Sequence, residues 1–263
     1  MNKRTLLDTA WYLVVFVLVQ MVVNGAMLLI CQTRTITAMM TIIATIISSL
    51  LTIGLFVWRH WAPVSGKYIN TRPWFTLFWV VCLAVGATSP LSFLWDECGL
   101  RMPDKLNEMF RQIMQHDLGY LAIGVFAPIA EEVVFRGAIQ RRLQQAFGKG
   151  KHWYAIVLTA ALFGVVHANM VQGVNAFVMG LLLGWMYQRS GSLVPGIVFH
   201  LTNNTIAYAM CRLLPNLADK TLVDIYGGEM KYVWCNLLAS TAIFIASMYQ
   251  LYLRLGKEGK NTN

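Results

Sequence analysis

Eight runs of mostly apolar residues, each close to the thickness of a bilayer, divide this chain of 263 residues. They lie at about 10–31, 36–58, 74–94, 119–140, 154–170, 171–188, 192–212 and 232–254. A helix needs roughly 20 such residues to cross the hydrocarbon core. Composition agrees: 57% of residues are hydrophobic and 13% charged, where a soluble domain carries about 25% charged residues. So little charge cannot cover a soluble globule, which excludes a cytosolic enzyme, a secreted disulfide module and a disordered tail. The expected fold is all-α, a polytopic membrane helical bundle of about eight transmembrane helices forming a single integral membrane domain over residues 1–263. The first run ends at Leu29-Ile30-Cys31-Gln32 with no small-residue cleavage site, so it reads as a retained span.

A net charge of +9 suggests nucleic acid in a soluble protein, but here the loops explain it. With the N-terminus inside, Lys3, Arg4, Arg59, Lys67, Arg72, Arg141, Arg142, Lys149, Lys151, Arg189, Arg254, Lys257 and Lys260 fall on the cytoplasmic side. Arg34, Arg101, Lys105, Arg111, Arg212, Lys220 and Lys231 fall outside, and Arg136 lies within a span. Thirteen against seven obeys the positive-inside rule. The charge is a topology signal for a prokaryotic cell (inner) membrane protein with both termini cytoplasmic. Membrane lipid is the expected partner and nucleic acid is not.

Residues 103–115 place Leu106, Met109, Phe110, Ile113 and Met114 on one helical face, which predicts an interfacial amphipathic helix. Trp11, Trp58, Trp61, Trp74, Trp95, Trp153 and Trp234 near span ends read as interface anchors. Gly180 and Gly184 read as a close helix-packing register. Cys98, Cys211 and Cys235 lie near the outer face, where a disulfide is one reading and unpaired thiols the favoured one.

Ionisable groups inside spans are expensive and mark function by default. Few occur here, and they cluster: Glu131, Glu132 and Arg136 in the fourth span, His167 in the fifth, and His200 with Asn204 in the seventh. From a rise of about 1.5 Å per residue, Glu131 stands roughly 15 Å above the inner end of its helix. By the same rise His167 stands roughly 20 Å up, and His200 and Asn204 roughly 12 and 18 Å. Three helices thus place polar groups in one layer. Glu132 and Arg136 have the favourable i, i+4 order for an ion pair, which leaves Glu131, rotated about 100° away, free to act as a general base. His200 and Asn204 share a face and could hold a water or donate to an oxyanion. Packing glue between helices is the bland alternative for each histidine.

These motifs, Glu-Glu-x-x-x-Arg (Glu131, Glu132, Arg136), Phe-x-x-x-His (Phe163, His167) and His-x-x-x-Asn (His200, Asn204), resemble the CPBP family of intramembrane proteases, also called the Abi or type II CAAX prenyl protease family. The likeness covers about residues 119–210 as the catalytic core helices, with 1–100 as the family's variable N-terminal spans. It implies an intramembrane endopeptidase acting on a membrane-associated peptide or protein. Glu131 would activate water, Glu132 and Arg136 would support it, His167 would orient water or bind a ligand, and His200 with Asn204 would stabilise an oxyanion. Glu131, His167 and His200 also make a candidate zinc set. The His-Glu-x-x-His signature is absent, and a glutamate-activated water without metal is favoured.

Two other readings stand beside the protease: a non-catalytic membrane scaffold or bacteriocin-immunity protein that keeps the motifs, and a proton-coupled carrier. The carrier ranks low because no paired broken helices are evident. The charge distribution carries a topological prediction. Alkaline phosphatase fused at either terminus is expected to be inactive, and a cytoplasmic fluorescent reporter active; an active phosphatase at either end contradicts the assigned orientation.

Overall fold

A computed structural model describes residues 3–64, 66–148, 150–217 and 220–261, with side chains through Gly256. Lys149 and the side chains of Lys257 and Lys260, counted above as cytoplasmic, lie outside the described residues. Every regular element among the described residues is helical. The main helices are α1 (Lys3–Ile30), α2 (Ala38–Trp58), α3 (Trp74–Glu97), α4 (Asp104–Gln115), α5 (Asp117–Phe147), α6 (His152–Val165), α7 (Met170–Ser190), α8 (Val194–Leu213) and α9 (Met230–Asn261).

Local chemistry sets several boundaries. Thr37 caps α2 by accepting from the Met40 N–H, and Asn169 caps α7 by accepting from Gln172. Pro195 occupies the first turn of α8, where its missing N–H costs nothing. Gly191, in the left-handed region at φ 65°, ends α7.

Six helices are long and apolar enough to cross a membrane: α1, α2, α3, α5, α7 and Met230–Gly256 of α9. The expected count of eight is therefore not reproduced. The helix α6 is 14 residues long, short of a full crossing at about 1.5 Å per residue. The helix α8 has the length, but His200, Thr202, Asn203, Asn204 and Thr205 dilute its apolar character. The fifth and sixth runs divide at 166–169, not at 170, so His167 sits in the connecting turn beyond the end of α6.

The helices bury one another's apolar faces around a core that includes Phe16, Phe56, Leu83, Phe135, Phe163, Leu183, Phe199 and Leu251, one from each helix except α4. Outward-facing residues are apolar too: Leu7, Met21, Val22, Leu50 and Leu238 are all exposed, as expected where lipid is the solvent. The amphipathic α4 differs from its expected role. Its apolar face turns onto the bundle, where Ile113 packs with Ile42 and Ala122 and Met114 is buried. Among the described residues no two cysteines are joined by a disulfide.

Close backbone approach locks α6 against α7. A Cβ at Gly164 would stand 2.7 Å from the Gly173 carbonyl oxygen, and one at Gly180 would stand 3.0 Å from Ala160, which accords with the packing register read from the sequence. Gly164→Ala is expected to force the two helices apart and cost about 1–3 kcal/mol, read as a lower unfolding midpoint in detergent. Gly54→Ala, with open space around it, is the control expected to show no loss.

Candidate active site

The Glu-Glu pair sits on a helix of uneven pitch. Within α5 the turns are π-helical over Tyr120–Phe126, α-helical over Ala127–Glu132 and π-helical again over Val133–Gln140. Wide turns of this kind are rare and occur often at functional sites. Here they flank the two carboxylates on both sides.

Glu132 and Arg136 form the ion pair that their spacing predicts. Arg136 Nη1 donates to Glu132 Oε1 at 2.8 Å, and both side chains are fully buried. Arg136 Nη2 also donates to the Gly180 carbonyl at 3.3 Å, and its guanidinium lies 4.7 Å from the centre of the Phe163 ring. His200 adds a third partner, with Nδ1 3.2 Å from Glu132 Oε1. A carboxylate oxygen can only accept, so Nδ1 carries the proton there. Gly196 leaves room for this carboxylate: a Cβ would stand 2.8 Å from Glu132 Oε2.

Holding His200 by Nδ1 aims Nε2 at Glu131, whose Oε2 lies 3.7 Å away. That is beyond direct hydrogen-bond reach and fits charge attraction or a shared water. The Glu131 side chain is 21% exposed, which sets it apart from the sealed Glu132. It opens into a cavity of about 290 Å³ that also holds His167, His200, Asn203 and Asn204. Gln172 and Asn175 add further amides, and Phe110 and Met114 of α4 form part of the wall. His167 Nδ1 donates to the Phe163 carbonyl at 2.8 Å, which leaves Nε2 as an acceptor. The Phe163 ring meets both imidazoles edge-on, at 5.0 Å from His167 and 5.9 Å from His200. The motif phenylalanine is thus a hub that packs both histidines and the arginine.

Asn204 is placed differently from the sequence expectation. Its amide donates to the Ile123 carbonyl at 2.9 Å, and its Oδ1 accepts from Asn203. In the π-helical turn, the N–H five residues beyond Ile123 would fill that carbonyl. That residue is Pro128, which has no N–H. Asn204 takes over the missing bond, so its main task is to tie α8 to α5, with one amide hydrogen left over.

The structure therefore brings Glu131, His167, His200 and Asn204 to one cavity, with Glu132 and Arg136 behind it. It does not gather the candidate zinc set. Among the described residues, no group of three His, Cys, Asp or Glu side chains could hold a metal ion. A zinc site needs its donors about 2.0–2.2 Å from one centre, and Glu131, His167 and His200 do not fit that requirement as a group. Gln172, Asn175 and Asn203 were not among the sequence candidates, because a neutral amide stood out only one helical turn from an ionisable residue, as Asn204 does from His200. Trp95, read from the sequence as an interface anchor, also donates its indole N–H to Asn175 Oδ1 at 3.2 Å.

Residues 116–206 match the family described as "Type II CAAX prenyl endopeptidase Rce1-like". This bears out the resemblance, and the matched stretch holds every motif residue. A Bacillus subtilis (strain 168) protein named "Putative membrane peptidase YdiL" is 29% identical over 86 residues. That alignment covers 33% of this chain and 34% of that protein, so the chain matches about a third of the length of this curated relative. No solved structure matches.

Removing the arginine tests the buried pair. Arg136→Leu strands the Glu132 charge and is expected to cost about 3–5 kcal/mol, measured by detergent-phase unfolding. Adding Glu132→Gln should recover part of that loss; no recovery would show that the cost comes from packing alone.

Proposed function

We propose that this chain is an intramembrane endopeptidase of the CPBP type, hydrolysing a peptide bond in a membrane-associated peptide or protein by a glutamate-activated water. The observation that carries the reading is the contrast between neighbouring carboxylates. Glu132 is sealed and bonded to Arg136 and His200, while Glu131 is partly open, 3.7 Å from His200 Nε2, and faces the cavity that holds His167. The family match over residues 116–206 supports a membrane peptidase at family level.

In this mechanism Glu131 takes a proton from water, and the resulting hydroxide oxygen attacks the peptide carbonyl carbon. The carbonyl oxygen becomes an oxyanion. His200, protonated on both nitrogens, gives Nδ1–H to Glu132 and Nε2–H to the oxyanion, and the spare amide hydrogen of Asn204 provides a second donor. Collapse of the tetrahedral adduct breaks the C–N bond. The departing amine takes the proton from Glu131, which returns to a carboxylate. His167 Nε2, an acceptor, orients the attacking water. Glu132 and Arg136 do not touch the substrate; they hold His200 in place. No step is routed through a metal.

General-base catalysis contributes about 10²–10⁴-fold, so Glu131→Gln should lower cleavage of a reporter peptide by at least about 100-fold. Glutamine keeps the shape, so insertion and the unfolding midpoint should not change. Full activity in this variant would overturn the proposal. Substrate trapping with the same variant, followed by mass spectrometry, should capture membrane-associated peptides.

A further inference from the structure

Glu131 borders a second cavity, whose lining contains no histidine. It encloses about 190 Å³ between α1, α2 and α5 and is lined by Gln20, Asn24, Thr45, Ser48, Ser49 and Thr52 together with Glu131. The polar residues are periodic. Thr45, Ser48, Ser49 and Thr52 stand at i, i+3, i+4 and i+7 on one face of α2, and Gln20 and Asn24 stand one turn apart on α1. These two helices bear no motif and are otherwise among the most apolar of the chain. Polar side chains there are costly unless satisfied, and these turn inward: Ser48, Ser49 and Thr52 are all buried.

Some find partners on their own helix. Ser48 donates to the Thr45 carbonyl at 3.2 Å, and the Asn24 amide donates to the Gln20 carbonyl at 2.8 Å. Thr52 does not: it is 1% exposed, and its hydroxyl has no hydrogen-bond partner. A buried hydroxyl facing a polar cavity is satisfied by ordered water. One water requires only about 10–15 Å³ of such space, so the cavity has room for several.

We propose that this cavity is a hydration chamber that supplies the water activated by Glu131, by a route separate from the cavity that takes the substrate. The proposal rests on the protease reading above and adds the N-terminal helices to it. A peptide bound among the histidines fills the first cavity and displaces its water. Hydrolysis then needs a second source that the substrate cannot block and lipid cannot enter. A carboxylate on the border between the two cavities can draw a water molecule across from this one and take its proton beside the bound carbonyl, where His167 Nε2 orients it. The Thr52 hydroxyl, with Ser48 and Ser49 beside it, holds the water before it crosses.

Two measurements on the full-length protein in nanodiscs test this. First, Thr52→Val keeps the shape and removes the hydroxyl. It should lower kcat about ten-fold and leave KM within about two-fold, with the unfolding midpoint unchanged, and Thr52→Ser should restore kcat. An unchanged kcat in both Thr52→Val and a Ser48→Ala, Ser49→Ala, Thr52→Val triple variant would overturn the chamber, as would a loss confined to KM. Second, hydroxyl-radical footprinting should oxidise Phe16, which lines the chamber and is 5% exposed, and the triple variant should suppress that oxidation. An unlabelled Phe16 in the parent protein shows a dry cavity and overturns the chamber without reference to proteolysis. A fully active Glu131→Gln removes the protease reading itself, whereas an inactive Glu131→Gln beside a fully active Thr52→Val and a fully active triple variant removes the chamber alone.

Discussion

A carboxylate and a guanidinium sealed together without exposure, Glu132 and Arg136, fix the geometry of everything around them. Each alone would be prohibitively costly in a lipid-embedded core, and further bonds add to the attraction that offsets that cost, although Glu132 Oε2 and Arg136 Nε stay without a hydrogen-bond partner. The arginine reaches the Gly180 carbonyl and lies against Phe163, and the glutamate reaches His200. Four helices, α5 to α8, are thereby tied to one charge pair. Small residues make the crossing close enough: Gly180 admits Ala160, and Gly196 admits the Glu132 carboxylate. The pair is a scaffold for the imidazole, sealed away from the cavity that His200 and Glu131 line.

Adjacent identical residues have separate tasks because a helix turns about 100° per residue. Glu132 points into the seam with α8 and is consumed by bonding. Glu131 points along the boundary between two cavities, one shaped by α5 to α8 and one by α1 and α2. The N-terminal helices are thus more than a hydrophobic jacket. Their polar stripe lines a cavity at the same carboxylate, so helices from both halves of the chain meet at a single side chain.

Much of this was legible in the sequence. Apolar run lengths revealed the membrane class and the approximate helix positions, and the i, i+4 spacing of Glu132 and Arg136 predicted their bond. The rarity of ionisable groups in spans singled out the right layer. What stayed hidden depends on long-range partners. Nothing local says that Asn204 would spend its amide on a carbonyl of another helix, nor that Trp95 would find Asn175. The pitch of α5 is equally silent in its composition. The neutral stripe Thr45, Ser48, Ser49 and Thr52 was readable by periodicity, but threonine and serine are common enough in membrane helices to escape a search for charges. The short α6 misled the count of spans because its apolar run continues through the turn that carries His167.

The bond between Asn204 and Ile123 makes a proline and an asparagine on separate helices into complementary parts. Pro128 withholds an amide hydrogen one residue turn before the acidic pair, and Asn204, 81 residues beyond the acceptor it satisfies, returns one. Neither substitution is therefore interpretable by itself. An alanine at 128 would leave a surplus donor, and an alanine at 204 a bare acceptor. Anyone transplanting this cluster of side chains into another bundle must carry both positions across as a single unit.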